Sequence, residues 1–199
     1  MPNGWYKIKY NGDYGYVSGV YVRAILDKFL FVGDSYTYLL TDTIKSNTTG
    51  AIIKAKSGCV PSYWISNFDQ MPDPSNVEGV CVLLGVNGMN SREYDVTVRD
   101  LKLLIDKLSD KYSDKVIYVQ KVFPLGRNYS ETTINRISNF NQEIEEYCNT
   151  ISNVKFIDTT TGFVDDGYLK YPDSEGIHIV SSKFTQFFNN IGKAILKEL

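Results

Sequence analysis

Histidine is nearly absent from this chain: it occurs once, at His178, so any chemistry that needs an imidazole has a single candidate. Cysteine is scarce as well. Cys59, Cys81 and Cys148 stand far apart, are odd in number and form no C-x-x-C pair, which argues against a disulfide framework or a zinc site. Buried free thiols are the expectation. Charge of one sign never accumulates either. A formal net charge of −2 without any run of like charges gives no electrostatic footprint for a nucleic-acid backbone or an anionic membrane, so small neutral or polymeric substrates fit better. No apolar run approaches the roughly 20 residues of a membrane-spanning helix. The N-terminal MPNGWYKIKY lacks the apolar core of a signal peptide, and the chain is read as soluble. Internal repeats and low-complexity segments are also missing.

Apolar material is present in quantity and in an ordered pattern. The chain has 199 residues, 43% hydrophobic and 14% aromatic, enough for one substantial core within the size range of a single domain. Residues 1–22 read as a separate segment and residues 23–199 as the main domain. From Gly4 to Val22 bulky apolar and polar residues alternate around Asn11-Gly12-Asp13, a hairpin turn signal, which predicts a small antiparallel ribbon. Beyond Arg23 the texture changes. FLFVG (Phe29 to Gly33), AIIKA (Ala51 to Ala55), VCVLLG (Val80 to Gly85), VIYVQKVF (Val116 to Phe123) and VKFID (Val154 to Asp158) are short, nearly continuous apolar runs. Strands of a parallel sheet, buried on both faces, read this way.

Helical periodicities separate these runs. Leu101, Leu104, Ile105, Leu108 and Tyr112 form one apolar stripe, and Ile134, Ile137, Ile144 and Cys148 a second. Phe184, Phe187, Phe188, Ile191 and Ile195 form a third, with Ser181 and Ser182 as N-cap candidates. Strands alternating with helices predict an α/β protein, a three-layer α/β/α sandwich around a central parallel sheet.

Ligands of an open parallel sheet bind beyond the carboxyl ends of its strands. Those ends deliver Gly33-Asp34-Ser35, Ser57-Gly58-Cys59, Gly85-Val86-Asn87 and Phe123-Pro124-Leu125-Gly126-Arg127, while His178 lies just before the last helix. A serine, a glycine amide, an asparagine amide and a histidine on one sheet edge are what acyl transfer requires. A serine hydroxyl becomes a useful nucleophile when a neutral imidazole takes its proton during attack. The oxyanion that follows needs donors already aimed at it, and the Ser35 and Gly58 backbone amides with the Asn87 side-chain amide could supply them. A carboxylate on the second ring nitrogen would hold the imidazole, and Glu175, three residues before His178, is the nearest candidate, with Asp173 in reserve.

The order and spacing of Gly33-Asp34-Ser35, the lone Gly58, Gly85-x-Asn87 and the acid-x-x-His ending at His178 resemble the signature blocks of the SGNH/GDSL hydrolases, over about Leu26 to Leu199. The resemblance implies a flavodoxin-like sheet, no metal or organic cofactor, Ser35 as nucleophile, Gly58 and Asn87 as oxyanion donors and His178 as general base. Two positions depart from the family pattern: Glu175 replaces the usual aspartate, and Gly88 follows Asn87 where aspartate is common, so a locally different loop is expected. Gly4-Trp5-Tyr6-Lys7-Ile8 and Tyr14-Gly15-Tyr16-Val17-Ser18 resemble the C-terminal half of a bacterial SH3-like domain. That likeness implies a secreted or cell-envelope bacterial protein whose signal peptide lies outside this sequence, with cell-wall association, although a cytoplasmic location stays open.

Other residues admit competing readings. Asp34 fits an acid catalyst or a turn-forming carboxylate equally well. Cys59, followed by Val60 and Pro61, reads as a packed small residue rather than a thiol nucleophile. Tyr36, Tyr63 and Trp64 could line a sugar-binding surface or simply pack. The expected function is a serine esterase working through an acyl-enzyme on O-acetyl groups of carbohydrate or peptidoglycan. The alternatives are a lipase-like or thioester acylhydrolase, an O-acyltransferase, or an inactive glycan-binding protein of the cell wall.

Overall fold

The computed structural model describes residues 5–10, 13–18, 26–89 and 92–198. Strands β1 (Trp5–Tyr10) and β2 (Asp13–Ser18) pair antiparallel from Trp5 opposite Ser18 to Tyr10 opposite Asp13, the ribbon expected from the alternating pattern. The turn residues Asn11 and Gly12 and the expected domain boundary after residue 22 lie outside the described residues.

Five strands make the central sheet: β3 (Phe29–Gly33), β4 (Ile52–Ala55), β5 (Gly79–Leu83), β6 (Ile117–Gln120) and β7 (Val154–Ile157). They are all parallel, in the order β4-β3-β5-β6-β7. Every residue of β3, β5 and β6 is buried, which is why those segments carry almost no polar side chains. The edge strands β4 and β7 are only partly covered and tolerate Lys54 and Lys155.

Helices cover both faces. On one side α3 (Pro61–Ser66), α4 (Tyr94–Lys111) and α5 (Glu131–Cys148) pack in a row; on the other, α2 (Thr41–Asn47) meets α6 (Phe184–Glu198). The apolar stripes predicted for the three long helices are the faces that they bury: Leu101, Leu104, Ile105 and Leu108 on α4, Ile137 and Ile144 on α5, Phe187, Phe188 and Ile191 on α6. Ser181 and Ser182 belong to a short 3-10 turn that leads into α6, and the residue before that turn caps it with no side chain. Cys59, Cys81 and Cys148 are buried free thiols. No helix among the described residues is long and apolar enough to cross a membrane.

The strand order has a geometric consequence. The chain leaves β3 for β4 on one side and then crosses to β5 on the other, so the carboxyl ends of β3, β4 and β5 flank the point where the winding reverses. Two buried asparagines continue the hydrogen bonding where the strands stop. Asn141 of α5 accepts from the Val122 amide at 2.8 Å and donates to the Val122 carbonyl at 2.9 Å. Asn190 of α6 donates to the carbonyls of Thr159 at 3.0 Å and Thr161 at 2.8 Å. Both polar groups of Val122 and the carbonyls of Thr159 and Thr161 are thereby paired beyond the strand ends, and the loop after β6 is held to α5. Replacing Asn141 by leucine would strand the buried amide and carbonyl of Val122 at once. We expect Asn141→Leu to lower unfolding stability by about 3 kcal/mol, read from urea denaturation; a loss under about 0.5 kcal/mol would show that the clamp is not needed.

Candidate active site

Strand β3 ends at Gly33 because nothing larger fits: a Cβ there would lie 2.0 Å from Thr37 Oγ1 and 2.8 Å from the Leu83 carbonyl oxygen. The Gly33 carbonyl accepts from the Lys56 amide at 3.2 Å and from Trp64 Nε1 at 3.1 Å, tying the ends of β3 and β4 to α3. Asp34 then caps the short helix α1 (Ser35–Leu39), its Oδ1 accepting from the Tyr36 amide at 3.0 Å. Ser35 occupies the first helical position, where its own amide has no intrahelical carbonyl to reach.

The imidazole arrives on a separate device. Asp173, Ser174, Glu175 and Gly176 make a tight turn closed by the Gly176 amide to the Asp173 carbonyl at 3.1 Å. On either side the chain pairs antiparallel, Asp173 N to His178 O at 2.7 Å and Val180 N to Tyr171 O at 3.0 Å, with a bridge between Pro172 and Ile179. Gly176 sits at φ +79°, and a Cβ would come within 2.1 Å of Asn128 Oδ1, so both conformation and space demand glycine. The turn is pinned from outside by Gly126 N to Gly176 O at 2.7 Å and Asn128 Nδ2 to Glu175 O at 3.0 Å.

This reversal returns His178 to the side chain of Asp173. Asp173 Oδ2 lies 3.0 Å from His178 Nδ1, and Oδ1 accepts from the amides of Ile177 at 3.1 Å and His178 at 3.3 Å. His178 Nε2 lies 2.8 Å from Ser35 Oγ. If Nδ1 carries the proton donated to Asp173, Nε2 is left as acceptor for the serine hydroxyl. Partial burial pushes the Asp173 carboxyl up, but the hydrogen bonds from the His178 ring and from the two amides outweigh that and hold it below the ordinary range.

Glu175, the expected partner, does not meet the imidazole. Its side chain is exposed and its contact with the site is through its carbonyl, so the carboxylate on His178 is the reserve candidate, Asp173. The signal that identifies Asp173 is turn chemistry. Aspartate at the first and glycine at the fourth position of Asp173-Ser174-Glu175-Gly176 mark a reversal that sends residues 177 and 178 back past residue 173.

The other expected residues fall as follows. Gly58, at φ +72°, is exposed at the end of β4. Asn87, in the short 3-10 turn Val86–Gly88 after β5, donates Nδ2 to the Cys59 carbonyl at 3.0 Å and reaches Asp34 Oδ2 at 3.5 Å. The Asn87 amide is thus tied to both neighbouring strand ends. Gly88 is explained by crowding, since a Cβ there would lie 1.9 Å from Thr97 Oγ1 of α4. Cys59 packs, its Sγ 3.6 Å from the Gly33 carbonyl and its thiol pushed up to about 12 mainly by burial.

Of the three aromatics that could line a sugar surface or simply pack, two pack in the interior. Tyr36 is buried, stacks on Phe123 with ring centroids 5.2 Å apart, and donates its hydroxyl to the Ile177 carbonyl. It also abuts the His178 ring at 5.2 Å, so it braces the histidine from below. Trp64 is buried under Gly33, and Tyr63, edge-on to Trp64, is the one that stays partly exposed. Beside Asn87 and Ile177 a cleft of about 480 Å³ opens toward α5, with Met89, Leu125, Tyr129 and Arg136 also on its walls. Among the described residues no group of three or more His, Cys, Asp or Glu side chains could hold a metal ion.

No family model matches the sequence, and no curated protein matches it. The fold does have counterparts among solved structures. A Streptococcus pneumoniae protein described provisionally as a platelet activating factor superposes with a TM-score of 0.72 at 19% identity, over 89% of this chain and 88% of that one. A GDSL-like lipase from Bacteroides thetaiotaomicron gives 0.65 at 17% identity, over 84% of each chain. A variant of an acetyl-xylooligosaccharide esterase from Geobacillus stearothermophilus gives 0.60 at 14% identity, over 84% of this chain and 91% of that one. The chain therefore has the α/β fold of the GDSL hydrolases, the architecture that its signature blocks imply.

Asp34 gives the site a measurable electrostatic cost. Burial pushes its carboxyl from 3.8 up to about 7, against the opposing pull of the amides of Tyr36, Asp34 and Gly85. Between those two values the folded chain retains a proton that the unfolded chain has released, so this group lowers stability as pH rises through the window and adds nothing further above it. Asn at this position keeps the cap but not the titration. We expect Asp34→Asn to remove up to about 4 kcal/mol of the stability decline between pH 4 and pH 8, measured by urea unfolding across that range; an unchanged pH slope would contradict this.

Proposed function

We propose that the protein is a serine ester hydrolase acting through an acyl-enzyme. The observation that carries this reading is the continuous relay from Ser35 Oγ to His178 Nε2 at 2.8 Å and from His178 Nδ1 to Asp173 Oδ2 at 3.0 Å. The fold shared with GDSL hydrolase structures supports it. Ser35 Oγ attacks the ester carbonyl while His178 takes its proton, and the imidazolium so formed is stabilised by Asp173. The developing oxyanion is met by the Ser35 and Gly58 backbone amides and by the one Asn87 Nδ2 hydrogen that exchanges its long 3.5 Å contact with Asp34 for the oxyanion, while the Cys59 carbonyl at 3.0 Å holds the other. His178 then protonates the departing alcohol, and a water deprotonated by the same ring releases the acid and restores the serine.

For the substrate we favour acetyl esters of carbohydrate. Support comes from a structural counterpart that is an acetyl-xylooligosaccharide esterase and from a half-open cleft beside Asn87 large enough for a sugar-sized alcohol. The exposed aromatics Trp5, Tyr14 and Tyr16 on the β1–β2 ribbon are consistent with contact to a polymer.

A fluorophosphonate probe should label Ser35 in the wild type and leave Ser35→Ala unlabelled; a folded, unlabelled wild type would end the esterase reading. On 4-nitrophenyl acetate, Asp173→Asn should reduce kcat about a hundredfold or more while Glu175→Gln changes it less than about threefold.

A further inference from the structure

The cleft that Asn87 and Ile177 line contains a cation without an acidic partner among the described residues. Arg136 projects from the second turn of α5 into the cleft that Asn87 and Ile177 also line. Its one recorded hydrogen bond is Nη1 to the Met89 carbonyl at 3.4 Å, a long contact. Among the described residues no carboxylate forms a salt bridge with it, although Arg99, Lys115, Lys121 and Arg127 all have acidic partners. The Tyr129 hydroxyl, also on the lining, has no hydrogen-bond partner among the described residues, and the remaining lining is mixed, with Met89, Leu125 and Ile177 beside Asn87 and Thr133. A half-buried guanidinium that lines a cleft and lacks a counter-ion is a recognition group for a planar or tetrahedral anion, because its donors are fixed in a fork that carboxylate and phosphate oxygens match.

We infer that Arg136 is a specificity determinant that selects acetyl esters whose alcohol portion bears an anionic group, a carboxylate or a phosphate. The assignment rests on the esterase reading in one respect: an acetyl group needs little room, so the cleft of about 480 Å³ takes the alcohol side. The cleft adjoins the reacting groups through two of its lining residues, Asn87, the candidate oxyanion donor, and Ile177, the chain neighbour of His178. On this view an acidic acetylated sugar is preferred over a neutral one.

The test compares 4-acetoxybenzoate and 4-acetoxyphenyl phosphate with the neutral methyl 4-acetoxybenzoate, taking for each protein the ratio of kcat/KM on the anionic to the neutral ester. The wild type should favour at least one anion, and Arg136→Gln should lower that ratio roughly tenfold to a hundredfold, the range expected for a charge-assisted bidentate contact. Arg136→Lys should recover part of it, and 0.5 M salt should compress the wild-type ratio, as it would not for a merely structural arginine (~3–4 Å Debye length). Which anion gains distinguishes a carboxylate from a phosphate source. A wild-type ratio near one, or a ratio that Arg136→Gln leaves unchanged, overturns the inference. The neutral ester is the separate control: if Ser35→Ala hydrolyses it as fast as wild type, the esterase reading fails instead. Calorimetric binding of 4-acetoxybenzoate to Ser35→Ala then still decides the anion site, since affinity must drop when Arg136→Gln is added.

Discussion

The site depends on one short hydrogen-bonded reversal, in which the chain turns through Asp173 to Gly176 and lays His178 back against the carboxylate that begins the turn. A single carboxylate accepts from the imidazole and from the amides of Ile177 and His178, so ring orientation and backbone position are set by the same group. The turn would be a mobile loop if it stood alone. Gly126 and Asn128 hold two of its carbonyls and the Tyr36 hydroxyl holds that of Ile177 just beyond it, and those residues are themselves placed by the loop after β6 and by the start of α1. Serine and histidine, 143 residues apart, come within 2.8 Å because both are anchored to the same carboxyl edge of the sheet.

That edge is a consequence of burial. Strands covered on both faces have nowhere to put a polar side chain except at their ends, and the reversal of winding at β3 brings the ends of β3, β4 and β5 together. Asn87 shows the outcome: its amide bonds the Cys59 carbonyl at the end of β4 and reaches Asp34 at the end of β3. The cost is a carboxyl group at Asp34 buried almost completely, whose raised pKa records the desolvation. Its cap to Tyr36 fixes the first turn of α1, and so the position of Ser35.

Much of this is legible in the sequence. Continuous apolar runs predicted the five parallel strands to within a residue or two at most boundaries, since full burial leaves a strong mark on composition. The residues at the strand ends were equally readable, because the ends of β3, β4 and β5 are where a parallel sheet must deliver its chemistry. Failures fell where sequence distance misleads. Glu175 lies nearer to His178 along the chain than Asp173 does, yet a tight turn brings residues five apart into contact and sends the intervening side chains outward. For Tyr36 and Trp64 the sequence leaves a sugar surface and plain packing both open; the structure packs them, because the space beneath α1 and α3 takes large rings with one polar contact each. Nothing in the sequence marks Arg136, because an arginine on an amphipathic helix ordinarily faces solvent; the cleft that it lines is visible only in the fold.

The central claim is that Asp173, rather than Glu175, fixes the proton on His178 Nδ1 and so leaves Nε2 to receive the proton of Ser35. Proton NMR of the single imidazole tests it directly, because the ring proton in a hydrogen bond to a carboxylate is strongly deshielded and this chain has one histidine to give such a signal. The account predicts a downfield ring N–H resonance that survives Glu175→Gln and disappears in Asp173→Asn. A resonance that survives Asp173→Asn and is lost in Glu175→Gln would contradict it.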